Sequence, residues 1–271
     1  LITGCSSGIG LDAARTLACR GWRVLATCRA AADCARLAAE GLESFPLDLA
    51  DPASVAEAAA EALARTEGRL DAVFNNGAFA IPGAVEDLPR AALREIFETN
   101  LFGHLDLTNR LLPSMRAAGS GRVVMNSSVL GIVALRWRGA YVATKLALEG
   151  ITDALRLELA GSGVQVVLIE PGPIGTSIRE KSIPHFERHI DQAGSAHREV
   201  YAGPLHQRLY HPARVRDRFE LPPSAVTARL IAALESTHPR ARYRVTGPTL
   251  MAEAARRLLP TALRDRLVGA R

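Results

Sequence analysis

The sequence predicts an α/β protein built on a doubly wound parallel sheet. Three observations predict it. Short apolar runs alternate with amphipathic stretches along most of the chain. The apolar runs lack the polar alternation of a half-exposed strand, as expected where helices cover both faces. A glycine-rich turn joins the first apolar run to the first helical stretch.

The chain opens at Leu1 within the first predicted strand, and Val24 to Cys28, Val73 to Asn75, Val123 to Met125 and Val164 to Ile169 read as further buried strands. Between them, Val55, Ala59, Ala62 and Leu63 form one helical stripe. Leu93, Ile96, Phe97, Leu101, His104, Leu105, Thr108 and Leu112 form a longer one. The pattern breaks over 177–221, which carries prolines at 184, 204 and 212 and five of the seven histidines. It resumes with a helix after Pro223 and a short strand near Tyr243 to Val245. We read 1–271 as a single domain, with 177–221 an insertion of the functional kind and a C-terminal helical tail.

The 271 residues are 48% hydrophobic and 23% charged, enough to bury a large core and too apolar for a disordered chain. No apolar run reaches the length of a membrane span, and no basic-then-apolar leader opens the sequence. The net charge of +5 comes from arginines interleaved with acids, with no basic stripe of the kind that reads nucleic acid. Only two of the 33 basic residues are lysines, Lys145 and Lys181. Cys5, Cys19, Cys28 and Cys34 form no CxxC pair. They read as thiols of a reducing cytoplasm rather than a disulfide or zinc framework. His185 and His189 have a metal-compatible i, i+4 spacing but no accompanying carboxylate motif, so no metal is expected.

Thr3-Gly4-Cys5-Ser6-Ser7-Gly8-Ile9-Gly10 lies in a strand–turn–helix setting. Its glycines let backbone approach a ligand, and the helix behind them offers free N–H groups to a pyrophosphate. The second strand ends in neutral Cys28 and cationic Arg29. A carboxylate there would grip the ribose hydroxyls of NAD, so the charge favours NADP over NAD. Asp48 and Leu49 follow the third strand, where an acid can meet an adenine amine.

Tyr141 and Lys145 stand at i, i+4 on a predicted helix, with phenol and ammonium on one face. For proton exchange near neutrality the phenol must fall about 3 units from its ordinary value near 10, a shift a nearby ammonium favours. In a chain that otherwise uses arginine, a lysine here points to a need for a compact ammonium. Ser128 lies just past a strand end, where ligands bind, and offers a hydroxyl to a carbonyl oxygen. Asn100 sits on an apolar stripe, where its amide must find partners.

Taken together, TGCSSGIG at 3–10, DL at 48–49, NNGA at 75–78, Asn100, Ser128, YVATK at 141–145 and PGPIGT at 171–176 resemble the short-chain dehydrogenase/reductase family. The likeness is to its single-domain branch, and within that to the hydroxysteroid and retinol dehydrogenases. The resemblance implies a Rossmann fold and an oxidoreductase that interconverts an alcohol and a ketone or aldehyde with NADP. It makes Tyr141 the general acid/base and Lys145 the group that lowers its pKa and binds the nicotinamide ribose. Ser128 would hold the carbonyl oxygen, and Asn100 a water linking Lys145 to solvent. Gly4, Ser6, Ser7, Gly8, Ile9, Gly10, Arg29, Asp48, Leu49, Asn76 and Gly77 would take the adenosine and pyrophosphate, with Asn75 steadying the central strand. Pro171, Gly172, Ile174 and Thr176 would close over the nicotinamide. The chain departs from the family at 77–78, where Gly-Ala replaces the usual Ala-Gly.

The resemblance also makes 177–221 a substrate lid and implies a homodimer or homotetramer. Leu130, Ile132, Leu135 and Trp137 form either an apolar wall for the substrate or the packing of their own loop; Arg136 and Arg138 leave an acidic substrate open. Leu258, Leu259, Leu263 and Leu267, among arginines 256, 257, 264 and 266, make an amphipathic tail expected to pack on the domain or a partner subunit rather than a membrane. The alternative function, weighed against the enzyme, is a non-catalytic NADP(H)-binding sensor or scaffold.

Overall fold

The computed structural model describes residues 1–211, 217 and 219–269; Pro212, five other positions of the 177–221 insertion and the end of the tail lie outside them. The strands are β1 Leu25–Cys28, β2 Glu43–Pro46, β3 Ala72–Asn75, β4 Gly121–Asn126, β5 Val164–Glu170 and β6 Arg242–Arg244. All pairings are parallel, in the order β1-β2 and β3-β4-β5-β6. Ile2 joins the two halves through parallel bridges to Ala26 and Phe74. The expected first strand is therefore reduced to one bridging residue, and its chain order, placed centrally with β1-β2 on one side and β3 onward on the other, is that of a doubly wound sheet.

Helices cover both faces. They are α1 Gly8–Cys19, α2 Ala31–Ala39, α3 Pro52–Arg65, α4 Arg90–Phe97, α5 Gly103–Ala117, α6 Gly139–Glu158, α7 Ile178–His189, α8 Arg198–Val200, α9 His206–Tyr210, α10 Ser224–Glu235, α11 Gly247–Leu258 and α12 Thr261–Gly269. Alternate residues of one strand serve opposite cores. Val123 and Met125 pack with Leu107, Leu111 and Leu148, while Val124 packs with Phe74, Val226 and Leu230. That two-sided burial is why the strands carry no polar alternation.

The long stripe from Leu93 to Leu112 is not one regular helix. A π-turn over Glu98–Phe102 separates α4 from α5. Its extra residue brings the buried Asn100 inward, a use of π-turns common at functional sites. The described part of the 177–221 insertion carries more helix than its weak periodicity predicts. It holds α7, α8 and α9 around a small core of Phe186, Ile190, Tyr201, Leu205 and Leu209. In the tail, Leu258, Leu263 and Leu267 are 79%, 46% and 60% exposed, while Leu259 is half-buried; of the two expected partners, the domain does not cover the first three. The four thiols are free, and no helix among the described residues is long and apolar enough to cross a membrane.

Candidate active site

The carboxyl ends of β3, β4 and β5 deliver Asn75, Asn126 and Glu170 to one edge of the sheet, facing the glycine turn. The turn is held by Thr3, whose Oγ1 accepts from the backbone N–H groups of Asn76 and Gly77, both at 2.9 Å. The Asn76 amide donates to the Thr3 carbonyl at 2.9 Å, and Asn126 in turn donates to Asn76 Oδ1 at 2.9 Å. Gly4 has φ +72, and a Cβ there would come within 2.7 Å of Gly77 Cα. Only glycine suits that conformation and that approach. At Gly77 a methyl would stand 3.0 Å from Leu49 Cδ1, so a side chain there needs a small shift of that leucine.

No side chain caps the first turn of α1, where Ser7 is the N-cap. Its N–H groups remain available to an anion. Ser6, Ser7, Gly8 and Ile9 are half-buried around that turn, and Thr176 lies over Gly8. Asp48 turns its carboxylate onto the Ala50 N–H at 3.0 Å, and Arg29 is exposed at the end of β1. Pro171 and Ile174 brace the loop after β5 through bonds to Val129 and a bridge to Leu221, and Gly172 abuts Thr246. These residues fit a dinucleotide: a cradle without side chains in its floor, open amides for its phosphates, and hydroxyls along its rim.

Ser128 and Tyr141 meet. The Ser128 hydroxyl lies close enough to the phenol to favour its ionised form, and it accepts from the Leu130 N–H at 3.1 Å. Lys145 Nζ stands 5.5 Å from the centre of the Tyr141 ring and donates to the Asn126 carbonyl at 2.7 Å. The electrostatics differ from the sequence expectation. Burial pushes the Tyr141 phenol up to about 12, against the opposing pull of Ser128 and Arg138. Burial also lowers Lys145 to about 8, against the carboxylate of Glu149. Desolvation outweighs the Ser128 hydroxyl and the Arg138 guanidinium at the phenol.

Asn100 Oδ1 accepts from the Phe79 N–H at 3.1 Å, and its amide donates to the Phe79 carbonyl at 2.9 Å and to Thr144 Oγ1 at 3.3 Å. It thus ties α4–α5 to the residue beside Lys145. Behind it, the buried His104 lies between Asn75 Oδ1 at 3.2 Å and the Gly77 carbonyl at 2.7 Å. Burial, and secondarily Lys145, lower its pKa to about 3.

Helix α7 crosses this edge. Lys181 donates to Ser7 Oγ at 2.7 Å and reaches Ser6 Oγ at 3.3 Å. His185 stacks on Phe79 at 4.1 Å with its Nδ1 2.7 Å from one Glu95 carboxylate oxygen, and His189 hydrogen-bonds the other at 2.5 Å. The two histidines therefore hold a carboxylate. Leu130 and Ile132 are buried and Trp137 packs on Tyr201, so only Leu135 of the proposed apolar wall is exposed. Sequence reasoning passed over Thr3, Asn126, His104 and Lys181. Of these, Lys181 carried a signal, since it is one of two lysines in an arginine-rich chain.

A parallel α/β sheet with an amide-lined glycine turn beside half-buried Ser128 and Tyr141 and the buried Lys145 defines a nucleotide-dependent oxidoreductase scaffold. The chain belongs to the short chain dehydrogenase family, whose sequence model matches residues 1–186. The family makes it an NAD(P)-dependent oxidoreductase of alcohols and carbonyls. It is 41% identical over 268 residues to the uncharacterized oxidoreductase YbbO of Escherichia coli (strain K12), covering 99% of this chain and 93% of that one. It is 35% identical over 260 residues to human 17-beta-hydroxysteroid dehydrogenase type 1, covering 91% and 76%. A solved short-chain dehydrogenase from Streptomyces avermitilis superposes with a TM-score of 0.77 at 29% identity, covering 98% of this chain and 93% of that one.

Proposed function

We propose that the protein is an NADP-dependent oxidoreductase in which Tyr141 transfers the proton that accompanies reduction of an aldehyde or ketone, or oxidation of the alcohol. The bound nicotinamide supplies or receives the hydride. Ser128 holds the carbonyl oxygen beside the phenol, so the oxygen's developing negative charge is met by two hydroxyl donors. Lys145 stabilises the phenolate and contacts the ribose. Asn100 fixes the α6 surface through Thr144. Gly4 to Gly10, Asn76 and Gly77 receive the adenosine and pyrophosphate, with Asp48 and Leu49 at the adenine. Pro171, Gly172, Ile174 and Thr176 bound the nicotinamide end. The 177–221 insertion acts as the substrate lid.

The observation that carries this reading is the nearness of the Ser128 hydroxyl to the Tyr141 phenol, with Lys145 Nζ 5.5 Å from the ring. One relative, the NADPH-dependent 3-dehydrocapnine reductase of Ornithobacterium rhinotracheale, 31% identical over 276 residues, supports the direction and the nucleotide. NADP preference rests on Arg29 and the absence of an acid at the end of β1. Purified protein with NADPH and a panel of carbonyl compounds provides the test. Tyr141→Phe is expected to lower kcat by about 10²- to 10⁴-fold, in the range of a lost acid/base group, with cofactor still bound. Undiminished turnover removes the mechanism. Native KM values for NADPH and NADH that do not differ remove the NADP preference, which Arg29→Ala is otherwise expected to erase. A homodimer or homotetramer in the cytoplasm completes the reading, and light scattering measures the oligomer.

A further inference from the structure

Arg138 lies three residues before Tyr141, at the N-cap of α6, so the two side chains leave the same side of the helix start. Its position is forced. Trp137 adopts φ +63, a left-handed conformation rare for a bulky residue, while its ring packs edge-on to His197 at 4.9 Å and Tyr201 at 6.4 Å. The Trp137 carbonyl accepts from the Gly83 N–H at 3.1 Å, and Arg138 forms a parallel bridge with Gly83. The strained residue thus anchors to the insertion and turns the next side chain toward the gap between α6 and the insertion, where Tyr141 also opens.

The surroundings of Arg138 are cationic. Arg179 at the start of α7 and Arg208 of α9 both act on it electrostatically. Asp217 acts on it in the opposite sense, and it is already bonded by Arg179 and, at 2.9 Å, by Arg208. Glu220 pairs with Arg179 at 3.8 Å. Among the described residues, three guanidinium groups therefore stand with two carboxylates. The half-buried Arg138 guanidinium has no hydrogen-bond or ion-pair partner among the described residues. Burial, then Arg208 and Arg179, lower its pKa to about 10, which leaves it charged at neutral pH. A partly desolvated cation whose acid is already bound by other arginines is costly unless something else supplies a counter-ion.

We propose that the substrate carries an anionic group, a carboxylate or equivalent oxyanion, near its reacting carbonyl, and that Arg138 binds it. The proposal rests on the reading of Tyr141 as the acid/base group. It adds a charge requirement at one end of a carbonyl compound, and it assigns specificity to a residue outside the Ser–Tyr–Lys group. A guanidinium can grip such an oxyanion with two parallel bonds, orienting the carbonyl toward Ser128 and Tyr141.

The test is kcat/KM for a panel of oxo carboxylic acids, each beside its methyl ester, with NADPH and NADH both supplied. The native enzyme is expected to prefer at least one acid over its ester. In Arg138→Met that acid-to-ester ratio is expected to fall by about 30-fold, in the range of a lost charge-assisted hydrogen bond. Arg138→Lys is expected to recover part of it. Thermal melts confirm that the variants fold, and the N-cap role of residue 138 is made by its backbone, which both substitutions keep. Acid and ester falling by the same factor means that Arg138 acts only on Tyr141, and overturns the proposal. So does a native enzyme that reduces esters but never prefers an acid, a result that leaves the acid/base reading standing. Turnover of neither acids nor esters removes both.

Discussion

The glycine cradle and the 177–221 insertion flank the same cleft and are held by opposite means. The cradle is fixed by close backbone packing and neutral hydrogen bonds: Thr3 to Asn76 and Gly77, Asn76 to Asn126, and His104 to Gly77. The insertion is fixed by ionisable side chains: Glu95 with His185 and His189, Asp87 with Tyr201 and Ser195, and Asp217 with Arg179 and Arg208. Neutral buried contacts are exacting in shape and intolerant of a new charge. Ion pairs near solvent are weaker, tolerate rearrangement, and suit an element that moves.

Gly10→Ala attacks the cradle hardest. A methyl there would overlap the Gly4 carbonyl oxygen and stand 2.8 Å from the Asn76 amide nitrogen, both parts of a fixed framework. We expect a loss of about 3 kcal/mol or more, at the upper end for overpacking, and no measurable dinucleotide binding. Chemical denaturation and cofactor fluorescence measure the two. Thr3→Val keeps the shape but removes the oxygen that two backbone N–H groups share. Leaving both unpaired is expected to cost about 2 to 3 kcal/mol. A loss below about 1 kcal/mol would show that water replaces that oxygen freely, and the cradle would then be no more exacting than the insertion.

Acid separates the two regions in an unexpected order. His104 titrates at about 3 in the fold against an ordinary 6.5, so the folded state holds fewer protons than the unfolded chain. Its contribution is complete above 6.5 and declines as pH falls toward 3, by about 1.4 kcal/mol per unit, or about 2 kcal/mol by pH 5. Stability measured from pH 7 to 5 should show that slope, and His104→Asn should flatten it. An equal slope in the variant would assign the acid sensitivity elsewhere.

The cofactor side of the cleft was legible from sequence because it depends on residues whose spacing is local. TGCSSGIG lies in one turn, and Tyr141 and Lys145 on one turn of helix, so motif and geometry coincide. Ser128 needed only a strand end to be placed. Thr3, Asn126 and His104 were not legible because their partners lie 73, 50 and 27 residues away, and a buried polar residue looks like any other until its partner is known. The π-turn at Asn100 hides in a stripe whose period it interrupts by one residue. The phenol's raised pKa was missed because spacing reveals the ammonium but not the desolvation that opposes it. For the exposed tail leucines the sequence left two partners open, because amphipathicity says that a face needs cover without saying what covers it.

Glu95→Gln is the mildest and the most discriminating change. The Glu95 carboxyl is pushed up by burial, but hydrogen bonds and charge from His189 and His185 outweigh that and hold it below its ordinary 4.5. The anchor therefore persists at neutral pH and is lost only as pH falls below that value, after His104 has begun to erode the cradle. His185 is lowered chiefly by burial, with Glu95 opposing, so it favours the neutral ring and does not reverse this order. The glutamine keeps the shape and some hydrogen bonding but loses the charge. About 1 kcal/mol is expected, seen as an exchange of α7 amides about 5-fold faster, with cradle amides unchanged. Faster exchange in both regions would mean that they open as one unit. The contrast between a rigid cradle and a separately held insertion would then collapse, and with it the case for α7 as a moving cover.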